Sequence, residues 1–116
     1  MQGKNNKDIV QKASELWSTK DLKMVEELYA PNCVHHQQNQ HQDVTFTGID
    51  AWKKYIEDFL KKHPDYKEKI MSQIQEGDKV VTTLECVSSK TKWSGVVIDR
   101  VQNGKIQETW AWFKRK

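Results

Sequence analysis

Two carboxylates and a tight turn are the residues in this chain whose types and spacing could do chemistry. Asp99 and Glu108 flank Asn103-Gly104 in the run SGVVIDRVQNGKIQETWAWFKRK. Asn-Gly is the strongest short-range signal for a two-residue hairpin, because both central residues must take positive φ. That turn predicts a register in which Gln102 faces Lys105, Val101 faces Ile106, Arg100 faces Gln107 and Asp99 faces Glu108. Directly opposite side chains stand about 4.5–5.5 Å apart at Cβ, where like charges repel. Two outcomes are open. On a wet face the pair is two solvated carboxylates near Lys105 and Arg100. In a cavity, one carboxyl takes up a proton near neutrality and becomes an acid/base group.

Side chains alternate across a strand, so Val97, Asp99, Val101, Ile106, Glu108, Trp110 and Trp112 are expected on one face. Val96, Ile98, Arg100, Gln107, Thr109, Ala111 and Phe113 then share the other. With apolar residues on both faces, the sheet must be covered on both. His36 could supply the complementary acid or polarise an oxygen, or it could be a hydrogen-bonded structural histidine. Trp17, Phe59, Trp110 and Trp112 could line a ligand pocket, or form plain core.

Other chemistries find less support. His35, His36, His41 and His63 match no common zinc spacing, and adjacent histidines on a strand point to opposite faces, so no metal is expected. Cys33 and Cys86 form neither a disulfide framework nor a CxxC motif. Neither a nucleophile elbow nor a phosphate-binding loop is present, and no cofactor is expected.

The elements that must position these groups follow from periodicity. Ile9, Ala13, Leu16 and Trp17 keep the spacing of an amphipathic helix. Ser18 to Asp21 reads as a capping box restarting a second helix, with Leu22, Val25, Leu28 and Tyr29 apolar and Pro31 ending it. Asn32 to His36 reads as a short strand, then a polar loop, QQNQHQ, and a brief strand from Asp43 to Thr47. Asp50 is a candidate N-cap for a third helix, Ala51 to Lys62, with a stripe of Trp52, Tyr55, Ile56, Phe59 and Leu60. Residues 66–75 and 79–88 read as strands around a Gly77-Asp78 turn. Helices first and antiparallel strands after predict an α+β domain with helices on one face of a curved sheet.

At 116 residues the chain reads as one domain, 1–116, large enough to bury a core without disulfides. A net charge of +3, with lysines interspersed among acids, gives no basic stripe for nucleic acid. No apolar run reaches the roughly 20 residues of a membrane span. MQGKNNKD lacks the apolar segment of a signal peptide, so the expected compartment is the cytoplasm.

Helix, helix, "YAPNCVHH", "TGIDAWKKYIEDF", "HPD", "EGDKVV" and "GVVIDRVQNGKIQETW", in that order, resemble the SnoaL-like polyketide cyclase and ester cyclase family of the nuclear-transport-factor-2-like superfamily. The resemblance covers nearly the whole chain. It implies a cone-shaped α+β barrel, three helices on a strongly curved antiparallel sheet with a pocket between, and a homodimer packed through the sheet's outer face. It implies a small hydrophobic substrate and acid–base catalysis, or a ligand-binding domain of the same fold. Residue by residue, the family's histidine falls on His36, and its "K-I-x-E-x-W" on Lys105, Ile106, Glu108 and Trp110. The cyclases' last-strand aspartate falls on Lys114, a departure that puts their proton-transfer step in doubt here. Carried over, the parity of this strand puts Asp99, Glu108, Trp110 and Trp112 on the pocket side.

Overall fold

The hairpin at Asn103-Gly104 is present, with φ of 56° and 74° at its two central residues. The structure, a computed structural model, describes residues 5–38 and 43–116. Among these residues the order is α1 (Asn6–Thr19), α2 (Met24–Leu28), β1 (Tyr29–Gln38), β2 (Asp43–Thr47), α3 (Ile49–Lys62), β3 (Lys67–Glu76), β4 (Lys79–Val87), β5 (Lys92–Gln102) and β6 (Lys105–Arg115). The strands make one sheet in the order β2-β1-β6-β5-β4-β3. Every neighbouring pair is antiparallel except β1 with β6, which run parallel. Helices pack on one face of this curved sheet, which is the expected α+β architecture. No helix among the described residues is long and apolar enough to cross a membrane.

Helix α1 buries Ile9, Val10, Ala13 and Leu16. Asn5 caps it, its side-chain oxygen accepting from the Asp8 amide at 2.9 Å. The second helix is shorter than expected. Asp21 accepts from the Lys23 amide at 3.2 Å, but α2 ends at Leu28. Tyr29 already pairs with Ile106 of β6, so sheet pairing ends the helix ahead of Pro31. Pro31 sits where the β1 register shifts, a place that tolerates a missing N–H.

Helix α3 begins at Ile49 with Gly48 as its cap, at φ 90° and without a side-chain cap bond. Asp50 therefore lies in the first turn, suiting the macrodipole rather than capping. Trp52, Ile56 and Leu60 are buried, with Tyr55 and Phe59 packed against them. The core joins these to α1, to Val80, Leu84 and Cys86 of β4, and to Val101 and Ile106.

The hairpin register departs from expectation. Val101 faces Ile106, but Arg100 faces Glu108 and Asp99 faces Thr109, which leaves Gln107 as one extra residue in β6. This is a β-bulge. Beside it the Val101 amide donates to the Asp78 carbonyl at 2.7 Å, continuing the β4–β5 ladder. The Gln107 side-chain amide donates to the Gln102 carbonyl at 3.0 Å. Because strand period is two, one inserted residue turns everything beyond it to the opposite face.

Candidate active site

The bulge decides which side chains meet beneath the helices. Thr109, Ala111 and Phe113 face inward beside Val97 and Asp99, and enclose a cavity of about 330 Å³. Helix α1 contributes Trp17 and Ser14, and α3 contributes Trp52, Tyr55 and Phe59. Strand β1 adds Tyr29, His35 and Gln37; Tyr66 and Glu68 enter at the start of β3. The aromatic wall is built edge to face: Trp17 lies 5.5 Å from Phe59 and Phe59 4.9 Å from Tyr66, ring centre to ring centre.

Asp99 is 4% exposed and accepts a 2.6 Å hydrogen bond from the Thr109 hydroxyl. Burial pushes its pKa up to about 7, against the lowering effect of that bond. A second carboxyl shares the cavity. Glu68 accepts from the Ser14 hydroxyl at 2.9 Å and from the Tyr66 hydroxyl at 2.7 Å. Burial raises it to about 7 as well; the two hydroxyls oppose the rise and the Asp99 charge adds to it. The side chain of Glu68 keeps some solvent access, since it also borders a shallow recess beside Gln11 and Ser18.

His35 stacks on Trp52 at 3.8 Å, and its Nε2 lies 2.8 Å from Gln37 Oε1. Burial lowers its pKa to about 4, so the ring is neutral at pH 7. Its Nδ1 is buried without a hydrogen-bond partner. Tyr29 is also enclosed. Burial first, then the charge of Asp99, drive its phenol well above the usual range.

The other expected site residues do come together, but on the opposite face. His36 Nε2 lies 2.7 Å from Glu108, whose other oxygen is 3.5 Å from Arg100. The His36 ring stacks on Trp110 at 5.7 Å. Trp112, 38% exposed, stands on the same outer face. The expectation that Glu108, Trp110 and Trp112 face the pocket with Asp99 is thus corrected, and the Gln107 bulge is the reason. His36 is corrected with them: it pairs with Trp110 across β1–β6 and shares its outer face. Asp99, Trp17 and Phe59 do line the cavity. Lys114 pairs with Ser94 and is exposed. His41 lies outside the described residues.

Glu68 and His35 were not assigned to the site from the sequence. Glu68 shares strand parity with Tyr66 and Ile70, and a charged residue between two such neighbours is a partial signal of buried polarity. His35 shares parity with Cys33 and Gln37, which gives no such signal.

Residues 7–115 match the SnoaL-like polyketide cyclase family. Among solved structures, wild-type IdmH from Streptomyces antibioticus, a candidate polyketide cyclase, is 19% identical with a TM-score of 0.84, over 96% of this chain and 93% of that one. An NTF2-like protein of unknown function from Mesorhizobium loti is 18% identical with a TM-score of 0.81, over 97% of each chain. A candidate ketosteroid isomerase from Kribbella flavida is 12% identical with a TM-score of 0.79, over 96% of this chain and 78% of that one. No curated protein matches. At these identities the likeness carries the fold, and the family match carries membership. The chain belongs to the SnoaL-like polyketide cyclase family, with an NTF2-like fold.

Proposed function

We propose that the chain is a cofactor-independent cyclase, isomerase or hydrolase acting on a small hydrophobic carbonyl-type substrate in this cavity. Asp99 is the proton-transfer group. The single observation that carries this reading is a carboxyl enclosed among aromatic rings, bonded by one hydroxyl and titrating near neutrality. Such a group can take a proton from carbon next to a carbonyl and return it to carbon or oxygen. The cavity volume falls within the roughly 300–1,000 Å³ of small-molecule sites. Trp17 and Phe59 pack the substrate. His35, neutral, hydrogen-bonds it through Nδ1. His36 and Glu108 serve the outer face, where we place the contact of a homodimer around Trp112 and Val96.

The test is product formation from aromatic and lactone carbonyl compounds. Turnover should disappear in Asp99→Asn and persist in Glu108→Gln. Undiminished turnover in Asp99→Asn would remove Asp99 from the reaction. A second reading, a non-catalytic small-ligand binding domain, is favoured by Lys114 standing where the resemblance puts the cyclases' aspartate. It predicts ligand-induced stabilisation without turnover.

A further inference from the structure

Two carboxyls share this cavity, and among the described residues neither lies in an ion pair with a lysine, arginine or histidine. Both are held by neutral hydroxyls, Asp99 by Thr109 and Glu68 by Ser14 and Tyr66. A buried carboxylate without a counter-charge is costly, and among the described residues none is paired with either carboxyl. His35 adds a third acceptor: with Nε2–H donating to Gln37, its unpartnered Nδ1 carries a lone pair. The walls around these acceptors are aromatic, with Trp17, Trp52 and Trp93 among them. Ring faces attract cations, and tryptophan does so most strongly. Carboxyls bonded only by neutral hydroxyls, inside a ring-lined cavity, are complementary to a cation that carries N–H groups on a hydrocarbon body.

We infer that the cavity selects a ligand bearing a protonated organic nitrogen on a small apolar body, with the nitrogen directed at Glu68 and Asp99. This rests on the reading of the cavity as the substrate site and narrows it: the substrate is a carbonyl compound that also carries a basic amine. The groups that could mask the effect are accounted for. Tyr29 and Tyr66 are driven far upward and Cys86 up to about 12, so none ionises near neutrality. His35 stays neutral. Arg115 lines the mouth, where its Nε donates to Thr91 at an exposed position and solvent screens its charge. Between about pH 6 and about pH 8 the cavity's charge is therefore set by Asp99 and Glu68.

The experiment compares 2-phenylethylammonium with 2-phenylethanol, which share a body and differ in head group. Binding to the wild-type protein is read by calorimetry and by tryptophan fluorescence. The ammonium ion should bind at least about tenfold tighter at about pH 8, with the preference shrinking toward about pH 6 as the carboxyls take up protons. Glu68→Gln should cut the preference for the ammonium ion over the alcohol several-fold, with near-ultraviolet dichroism confirming the fold. The wild-type comparison alone decides the matter if that variant does not fold. Equal affinities at about pH 8, a preference that grows with acid, or no ammonium binding overturns the inference. Alcohol binding without preference overturns it while sparing the cavity as a neutral-ligand site. Activity on neutral carbonyl compounds tests that broader reading separately.

Discussion

Asp99 holds its proton in the folded chain over a pH range where the unfolded chain has released it. Its pKa rises from 3.8 to about 7 on folding, through burial. Between those values the folded state binds more protons, so stability falls as pH rises through that window and the loss is complete above about pH 7. For a group this enclosed the loss is of order 2–4 kcal/mol. Asp99→Asn should therefore raise the melting temperature at pH 8 and change it little at pH 4. Thermal unfolding at the two pH values checks this, and equal shifts would contradict the burial argument. His35 acts in the opposite sense. Its pKa falls from 6.5 to about 4, so its contribution is lost as pH drops between those values. Imidazole NMR should find it neutral at pH 5.5. The outer pair is worth less: Glu108 is about a quarter exposed, and Glu108→Gln should cost under about 1 kcal/mol and leave ligand binding in the cavity unchanged.

At the scale of elements, the bulge in β6 and the glycine opposite Phe113 set the shape of the site. Deleting Gln107 would restore a regular ladder with the pairings unchanged, Arg100 opposite Glu108 and Asp99 opposite Thr109, so Thr109, Ala111 and Phe113 stay inward. The deletion should therefore fold, losing only the Gln107 side-chain bonds to the Gln102 and Lys105 carbonyls. Circular dichroism checks this, and a product without a cooperative unfolding transition would refute the account. Gly95 lies directly across from Phe113. A Cβ built there falls 2.4 Å from the Phe113 ring. Gly95→Ala should destabilise by about 1–3 kcal/mol, and adding Phe113→Leu should recover part of that in a double-mutant cycle. Denaturant titration measures both.

At the scale of the molecule, the sheet carries apolar side chains on both faces and helices on only one. Val96 is 40% exposed and Trp112 38%, with Ile98 and Trp110 partly buried between them. A stable dimer buries about 1,200–2,000 Å² in all, and this face is where a second copy would supply it. Sedimentation should find a dimer in the wild type and a monomer in a Val96→Lys, Trp112→Glu double variant whose dichroism is unchanged. A wild-type monomer would end this proposal without touching the cavity.

The sequence by itself determined the elements whose signals are local. The Asn103-Gly104 turn needs two positive φ values, the α1 and α3 stripes repeat at helical spacing, and Gly77-Asp78 closes the β3–β4 hairpin. The order of these elements was enough for the α+β architecture and for the family resemblance. It also put Asp99 on the face of Val97 and Val101, and Trp17 and Phe59 on the apolar stripes of α1 and α3; all three line the cavity. Only the tertiary structure decided the face of Glu108 and Trp110, and, through the separate register of β1, that His36 pairs outward while His35 turns inward. The physical reason is that strand facing is a parity. A single extra residue reverses it, and Gln107 is accommodated by side-chain bonds to the main-chain carbonyls of Gln102 and Lys105, which leave no mark in the local pattern. Glu68 became part of the site for a similar reason: Ser14 and Tyr66 converge on it only once α1 lies across β3.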